Sequence, residues 1–378
     1  MDGMEHASSI PMEVLTSSDQ VSDLAGILLQ ERCIAIDTES NSRHRYPERV
    51  CLVQVSTDSK VYLIDTLAVG DMNPMGDVLA DGTVVKVFQG AEYDIRCLDR
   101  EWGFRVRNLF DTSIAARFVS MEQIGLSALI EALLGVHIPK LASIQKSDWS
   151  HRPLSQKALS YAATDVWHLL DIRRALESRL RTLARTTWAS EECARLEEIR
   201  YVAPDPETAF LSLKGSHRLD GQQKAILKRL FVLREAEARR RNLPPYYVLP
   251  HETLVQLASN PTADLARLPS LKGQAASRFG RLLRAALHSG LADPPIRAPT
   301  RQGKRRATPS EVERLQALKR WRLDLGKQLS VDPSLVWPKA SLERLAKAPR
   351  TLDVELHSGE VRQWQREQFA TSLAASVI

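Results

Sequence analysis

The sequence predicts an α/β domain, a mixed sheet flanked by helices, followed by an all-helical portion. Three β-like runs come early in the chain, and strands then alternate with helices up to about residue 183. Beyond Pro204 the strand-like runs stop, and Leu, Ala and Arg recur at helical spacing. With 378 residues, the chain is long enough for two or three domains with separate cores.

The elements of the first portion follow from local patterns. Short apolar runs predict strands, and the run at 50–56 also alternates apolar and polar residues. A serine or aspartate before a helical pattern predicts a helix start, as at Asp111 and Ser155. The predicted strands are 12–15, 33–37, 50–56, 61–64, 83–88 and 106–110, and the predicted helices are 18–30, 91–102, 112–119, 127–134 and 155–183.

Two breaks divide the chain. The stretch APDPET is typical of a linker, and 291–310 is rich in proline and basic residues, as in a flexible tether. At an offset of 88 residues Val248 matches Val336 and Pro250 matches Pro338, which indicates a duplicated helical segment. We therefore predict a disordered N-terminus (1–11), an α/β domain (12–203), a linker (204–215), a first helical domain (216–290), a basic linker (291–307) and a second, divergent helical domain (308–375).

Charge is distributed unevenly along the chain. Residues 1–200 carry 22 Lys and Arg against 29 Asp and Glu, whereas residues 201–378 carry 30 against 17. A basic portion attracts polyanions such as nucleic acids through phosphate contacts. The alternative is a surface that serves only solubility.

The remaining composition points to an intracellular protein. The N-terminus lacks the apolar core of a secretory signal, and no apolar run reaches the length of a membrane span. The cysteines form no CxxC pair and are interpreted as reduced core residues of a cytoplasmic protein. These cysteines are Cys33, Cys51, Cys97 and Cys193.

Four acidic residues and one tyrosine are the candidates for chemistry. Asp37 and Glu39 follow the apolar run CIAI and, at positions i and i+2 of a strand, project to one face. Asp94 lies in the first turn of a helix, and Tyr161 and Asp165 lie one helical turn apart. Two unit charges about 4 Å apart repel by about 4 kcal/mol at an effective dielectric constant near 20. A fold that gathers four carboxylates must protonate some of them or bind cations, and divalent metals prefer oxygen ligands.

Each of these candidate residues also has an ordinary structural interpretation when its motif is considered alone. Asp37 and Glu39 are then a loop pair, and Asp94 stabilises a helix N-terminus. Tyr161 and Asp165 are then an aromatic residue at the edge of the core and a solvated acid. The order and context of the pieces favour the chemical interpretation.

The motifs IDTES, FQGAEYDIRCL and YAATDVWHLL occur in that order, with FDTSIAARF and KSDWSHRPL between them. Over roughly residues 20–290 the chain resembles the ribonuclease D family, the tyrosine-containing branch of the DEDD 3′→5′ exonucleases. The resemblance implies a ribonuclease H-like fold that holds two divalent metal ions, Mg²⁺ or Mn²⁺. It also implies roles for five residues: Asp37, Glu39, Asp94 and Asp165 as metal ligands, and Tyr161 as the group that orients the attacking water.

One position departs from the family pattern. Many members carry histidine where this chain has Gln89. That histidine is not a metal ligand, so the departure bears on the positioning of substrate or of Asp94 rather than on the metal site.

The segment REAEARRRNLPPYYVLPHETLVQLA resembles the HRDC domain of helicases and ribonuclease D proteins, which implies nucleic-acid binding. Arg239, Arg240 and Arg241 are candidates for phosphate contacts, with Tyr246 and Tyr247 as candidates for base stacking. The alternatives are a solvated arginine face and, favoured here, tyrosines in the core. Lys140 and Lys146 are further candidates for phosphate contacts.

The leading hypothesis is a metal-dependent 3′→5′ exoribonuclease that releases 5′-mononucleotides. Its partner is then RNA with a free 3′ end, by family analogy a tRNA precursor, with no membrane and no obligate protein partner. Three alternatives stay open: a DNA exonuclease, a catalytically silent RNA-binding protein, and a helicase-associated adaptor. The intact carboxylates argue against the second, and no ATP-binding motif supports a motor in this chain.

Overall fold

The computed structural model describes residues 10–139, 141–274, 276–297 and 305–377. The predicted disordered N-terminus lies outside these ranges except for its last two residues, and residues 298–304 of the predicted basic linker also lie outside them. The described chain forms two compact units that are discontinuous in sequence. The sheet unit contains residues 10–39, 50–201 and 305–377, and the helical unit contains residues 40–49 and 202–297. The predicted linear domain boundaries stay predictions.

A six-stranded mixed sheet lies at the centre of the sheet unit, in the order β1-β4-β3-β2-β5-β6. Strands β3 and β4 pair antiparallel, whereas β1 with β4, β2 with β5 and β5 with β6 pair parallel. The predicted mixed sheet is therefore confirmed. The strands are β1 Met12–Leu15, β2 Cys33–Ser40, β3 Val50–Ser56, β4 Val61–Ile64, β5 Val85–Phe88 and β6 Leu109–Asp111.

Strand β2 separates two apolar cores. Its side chains alternate between the faces of the sheet: Ala35 packs in one cluster, and Ile34 and Ile36 pack in the other. All three are fully buried. Parallel pairing sets Ala35 beside Val87 of β5, so the carboxyl ends of both strands reach the same edge of the sheet. Ligand sites of α/β sheets commonly lie at such an edge.

Among the described residues, nine α-helices of the sheet unit lie before residue 202. Asp111 caps α4 and Ser155 caps α7, as the sequence predicts, and Ser17 caps α1 through a capping box. The predicted helix over 155–183 is instead two helices, because the His168 N–H donates to the Val166 carbonyl and interrupts the helical ladder. The helices are α1 Ser18–Leu28, α2 Asn73–Ala80, α3 Glu92–Trp102, α4 Thr112–Phe118, α5 Leu126–Leu134, α6 Ala142–Gln145, α7 Gln156–Trp167, α8 Leu169–Thr182 and α9 Thr186–Glu197.

The first three helices of each helical segment repeat 88 residues apart. The long helices α10 and α14 have 21 residues each, and each begins with a capping box. Each long helix ends at a residue in the left-handed conformation, Asn242 or Ser330. The first segment contains α10 Gly221–Arg241, α11 Pro245–Val248, α12 His251–Ser259 and α13 Arg278–Ala292, and the second contains α14 Pro309–Leu329, α15 Pro333–Val336, α16 Lys339–Lys347, α17 Leu352–Leu356 and α18 Gln363–Val377. Within the described residues, no helix is long and apolar enough to cross a membrane.

The second helical segment shares a core with the sheet domain. Trp364 of α18 stacks on Trp188 of α9 with ring centroids 4.6 Å apart, and both side chains are buried. Arg362 donates to the Glu192 carboxylate at 2.7 Å. The Glu191 carboxylate accepts the backbone N–H of Trp364 at 3.0 Å, which satisfies a donor at the start of α18. These contacts make α18 an integral part of the sheet unit.

We expect Trp364→Ala to lower the free energy of unfolding by about 3 kcal/mol or more, because it removes a buried indole and leaves a cavity against Trp188. Urea unfolding measures the change. Val354→Ala is the matched control, because Val354 is 71% exposed in the same segment. That control should stay within about 0.5 kcal/mol of the parent. Equal stability of Trp364→Ala and the control would show that the shared core is not important for stability.

Candidate active site

The end of β2 and the helix α7 bring three carboxylates together. Asp37 and Glu39 lie near the end of β2, and Asp165 lies on α7. One oxygen from each of the three lies within 4.8 Å of the others, and all three residues are half-buried. The apolar run before Asp37 buries the strand up to this point, so the polar residues occupy the edge where it leaves the core.

Asp94, in the first turn of α3, is not among the three residues whose oxygens meet within 4.8 Å, but it lies close enough for its charge to act on Asp37. Its side chain is buried, with 6% of the residue exposed, and it accepts a hydrogen bond of 2.5 Å from the Thr38 hydroxyl. Thr38 stands between Asp37 and Glu39 on β2, so this bond links α3 directly to the strand that carries two of the carboxylates. The negative charge of Asp94 also raises the pKa values of Asp37 and Glu39.

Burial favours the protonated forms of all four carboxyls, and repulsion within the cluster adds to this effect for Asp37 and Glu39. Burial, followed by the charges of Asp94 and Asp165, raises the pKa of Asp37 well above its usual range. Burial and the charge of Asp165 raise the pKa of Glu39 to about 9. Burial likewise raises the pKa values of Asp94 and Asp165 to about 7, against hydrogen bonds from Thr38 and Tyr161 that lower them. Without a cation, the cluster is not fully ionised at neutral pH.

Tyr161 lies one turn before Asp165 on α7, as the spacing predicts. Its hydroxyl is hydrogen-bonded to Asp165, and its ring centroid lies 6.2 Å from that of the buried Trp149. Burial and the charges of Asp165 and Glu39 raise the pKa of Tyr161. The phenol therefore keeps its proton and acts as a hydrogen-bond donor beside the carboxylates.

Asp111 positions the start of α3 as well as capping α4. Its carboxylate accepts the backbone N–H groups of Gly90 at 3.2 Å and Ala91 at 2.7 Å, in addition to those of its own helix. Gly90 has a φ of +73°, a conformation that favours glycine, and it turns the chain from β5 into α3. The sequence predicts the cap but not this second link, which depends on β6 lying beside β5.

Arg152 fixes the segment that leads into α7. Its guanidinium donates two hydrogen bonds to the Asp65 carboxylate, at 2.6 and 2.7 Å, and others to the carbonyls of Cys51 and Trp149. Because the buried Trp149 contacts Tyr161, this pair supports the placement of the tyrosine. Sequence reasoning missed it, although the position of Arg152 in KSDWSHRPL was a usable signal.

Gln89 lies directly after β5, and both ends of its amide are hydrogen-bonded. Its nitrogen donates to the Ile124 carbonyl at 2.8 Å, and its oxygen accepts from the Thr112 hydroxyl. The residue therefore ties the end of β5 to the start of α4 and to the segment before α5.

The predicted phosphate-binding residues lie on other elements. Arg239, Arg240 and Arg241 form the last turn of α10 in the helical unit. Lys146 is exposed at the end of α6, and Lys140 lies outside the described residues. Their roles stay predictions.

Two domain families match the chain. Residues 12–181 match the 3′-5′ exonuclease family, and residues 223–287 match the HRDC domain. The fold, the acidic cluster and these matches define a 3′→5′ exonuclease domain followed by an HRDC domain. The predicted fold class is confirmed for these two parts.

Similar proteins narrow this class to a family. The chain is 33% identical over 372 residues to "Ribonuclease D" of Granulibacter bethesdensis, covering 96% of this chain and 91% of the relative. It is 32% identical to "Ribonuclease D" of Gluconacetobacter diazotrophicus, covering 96% and 92%. The chain belongs to the ribonuclease D family of 3′→5′ exoribonucleases.

Two solved structures share the fold of this chain. The crystal structure of Escherichia coli RNase D has the same fold, with a TM-score of 0.73 at 24% identity, covering 97% of this chain and 99% of that one. The catalytic core of RRP6 from Trypanosoma brucei matches with a TM-score of 0.62 at 27% identity, covering 75% and 79%.

The raised pKa values predict that the metal-free protein loses stability as the pH rises. The folded protein binds more protons than the unfolded chain, because its carboxyl pKa values are raised. The contribution of these carboxyls to the free energy of unfolding is therefore complete below about pH 4. It is lost as the pH rises through about 7 for Asp94 and Asp165 and about 9 for Glu39. Urea unfolding in chelator measures this loss. Between about pH 6 and about pH 9, the free energy of unfolding of a Glu39→Gln variant should fall less steeply than that of the parent, by up to about 1 kcal/mol per pH unit.

Asp23→Asn is the control for this comparison, because Asp23 is an exposed carboxylate on α1. Its decline with pH should match that of the parent. If the free energy of unfolding of Glu39→Gln fell as steeply with pH as that of the parent, the result would contradict the crowding of the four carboxyls.

Proposed function

We propose that Asp37, Glu39, Asp94 and Asp165 hold two divalent metal ions, Mg²⁺ or Mn²⁺, and that this site hydrolyses RNA from a free 3′ end. The observation that carries the proposal is the convergence of carboxylate oxygens from β2 and α7 within 4.8 Å. The donor set consists of oxygen atoms, which hard cations prefer. Cations also relieve the repulsion that raises the carboxyl pKa values.

When bound, the metal ions would supply a water of lowered pKa and stabilise the charge that develops on the leaving oxygen. The chain positions the carboxylates that would hold these ions. Thr38 fixes Asp94 against β2, and Asp111 fixes the turn from which α3 begins. Hydrolysis breaks the bond between phosphorus and the 3′ oxygen of the preceding nucleotide, so the released product is a 5′-mononucleotide and the RNA keeps a 3′ hydroxyl.

Tyr161 orients the attacking water in this proposal. Its raised pKa makes the phenol a poor base, so it contributes by donating a hydrogen bond rather than by removing a proton. The Asp165 hydrogen bond and the Trp149 ring hold the phenol beside the carboxylates.

We propose RNA as the substrate and a tRNA precursor as the physiological partner, by family analogy and with no obligate protein partner. The metal ions held by the carboxylates would contact the phosphate rather than the 2′ hydroxyl. Cleavage of DNA is therefore the alternative that the experiment must distinguish from cleavage of RNA. We also propose a cytoplasmic location, as the cysteine pattern predicts. The segment 308–375 is, in this proposal, a divergent HRDC copy, which the shared element lengths support.

We expect Asp37→Asn and Asp94→Asn each to abolish nucleotide release while leaving RNA binding nearly unchanged, because each removes one anionic metal ligand and little of the RNA-binding surface. The measurement is digestion of 3′-labelled RNA with Mg²⁺, Mn²⁺ or chelator, alongside RNA binding in chelator. Asp171→Asn is the control, because Asp171 is an exposed carboxylate on α8. Digestion by Asp94→Asn at the parent rate would overturn the metal assignment.

The same assay separates the alternatives. A 3′ phosphate should block digestion, and RNA should be preferred over DNA of the same sequence. Faster digestion of the DNA than of the RNA would favour the DNA exonuclease. Binding without digestion under every metal condition would favour a silent RNA-binding protein.

We expect Tyr161→Phe to lower kcat by about 10²-fold with little change in KM, because it removes the hydroxyl and keeps the ring against Trp149. Steady-state kinetics on a single-stranded RNA gives both constants. Tyr62→Phe on β4 serves as the matched control. An unchanged kcat would remove Tyr161 from the proposed chemistry.

A further inference from the structure

A cavity of about 500 Å³ in the sheet unit is lined by residues other than the four carboxylates and Tyr161. Its walls come from the start of α3, from α4, from the end of α9 and from the second helical segment, and every residue of these walls belongs to the sheet unit. Gly90, Glu92 and Arg195 are exposed, so the cavity opens to solvent on their side. Ligand pockets commonly have volumes of about 300–1,000 Å³, so this cavity has the size of a small-molecule site.

Within the described residues, two arginines of this cavity, Arg117 and Arg195, form no ion pair. The Arg117 guanidinium of α4 donates a long hydrogen bond of 3.5 Å to the Ser334 hydroxyl. The Arg195 guanidinium of α9 donates to the Gly359 carbonyl at 3.2 Å. The charge of Arg117 reaches the Asp332 carboxylate, but hydrogen bonds from Ser334 already satisfy that group and lower its pKa more. Both guanidinium groups can therefore accept an anionic partner.

The carboxylates of the cavity wall already have partners. Glu192 pairs with Arg362 at 2.7 Å, and Glu92 pairs with Arg96 at 2.6 Å. The Asp111 carboxylate accepts backbone N–H groups at the starts of α3 and α4. Among the described lining residues, the charges that remain for a ligand are thus positive, and the cavity favours an anion.

The rest of the wall is apolar. Phe118 and Leu335 are buried, and Ile114, Leu196 and Ile199 are half-buried. A small hydrated ion gains nothing from such a wall, whereas a flat ring can remove apolar surface from water against it. Guanidinium groups beside an apolar wall therefore match a molecule that carries both a phosphate group and a ring.

We propose that this cavity binds a nucleoside 5′-monophosphate, with the phosphate on Arg117 and Arg195 and the base against the apolar wall. Arginine donates paired hydrogen bonds to phosphate oxygens, which a lysine cannot do in the same geometry. The site borders Gly90, in the turn before α3 that Asp111 holds. The chemistry of the cavity assigns the class of ligand, and only the origin of the nucleotide as the released product rests on the proposed function.

The test is calorimetric titration of the full chain with 5′-AMP in chelator, where the acidic cluster holds no cation that could attract a phosphate. The parent should bind saturably. Arg117→Gln and Arg195→Gln should each raise the Kd about tenfold or more, because each removes charge-assisted hydrogen bonds to the phosphate. Arg181→Gln is the matched control and should bind like the parent, because Arg181 is an exposed arginine of α8 outside the cavity.

Partial ligands separate the contributions of charge and ring. Inorganic phosphate should bind about tenfold more weakly than 5′-AMP or worse, and adenosine should not saturate the protein. Ile199→Ala should weaken binding of 5′-AMP severalfold and leave phosphate binding unchanged, because it shortens the apolar wall alone. Phosphate that bound as tightly as 5′-AMP would show a simple anion site and would overturn the assigned class of ligand.

Two results would overturn the site itself. One is the absence of saturable 5′-AMP binding at millimolar concentrations, and the other is an equal Kd for the parent, Arg117→Gln and Arg195→Gln. Asp165→Asn should bind 5′-AMP like the parent, and loss of binding in that variant would place the nucleotide at the acidic cluster instead. Thermal unfolding verifies each variant, and Arg195→Gln, at an exposed position, decides the test if Arg117→Gln does not fold.

The result is separable from that of the proposed function. If the cavity site fails and the nuclease stands, Arg195→Gln binds 5′-AMP like the parent while Asp94→Asn releases no nucleotides. If the nuclease assignment fails and the cavity site stands, Asp94→Asn digests RNA at the parent rate while Arg195→Gln still binds 5′-AMP more weakly.

Discussion

Crowding of four acidic side chains at one edge of a sheet is the constraint on which the rest of the structure depends. Burial alone raises the pKa of each carboxyl, and the charges of Asp94 and Asp165 raise that of Asp37 further. A cluster of this kind is unfavourable for the isolated protein, and its oxygen atoms could hold metal ions. The surrounding hydrogen bonds have a common purpose, because they hold the elements that repulsion would otherwise separate.

The hydrogen bonds that hold the acidic cluster come from several different elements. Thr38 ties the start of α3 to β2, and Asp111 ties the turn before α3 to β6. Arg152 holds the segment before α7 through its paired hydrogen bonds with Asp65. Each support uses a polar side chain that is itself buried or half-buried, where hydrogen bonds are strong and geometry is well determined. The positions of the acidic residues thus depend on a network that extends beyond them.

The two helical segments show how one pattern serves two purposes. Their long helices have equal lengths and equivalent caps, yet their surroundings differ. The second segment buries Trp364 and Leu335 in the core of the sheet unit. The first instead leaves Tyr246 and Tyr247 exposed, so the expectation that they lie in the core is wrong, and it forms one unit with the loop Ser40–Arg49. A few side-chain differences on a common framework decide whether the corresponding positions are buried or exposed.

The sequence by itself determined the local structure and the chemical character of this protein. The apolar run before Asp37 predicts β2, serine and aspartate caps predict helix starts, and the spacing of Tyr161 and Asp165 predicts their shared face. These inferences succeed because they depend on neighbouring residues. The break at His168 was missed because helical periodicity continues through it.

Only the tertiary structure decided which distant surfaces meet. The second role of Asp111 depends on β6 lying beside β5, and the pairing of Arg152 with Asp65 joins segments far apart in the chain. Similarly, the exposure of Tyr247 and the burial of Leu335 at equivalent positions follow from what packs against each helix. Sequence patterns specify which side chains prefer to be buried, but long-range packing determines which surfaces are actually covered.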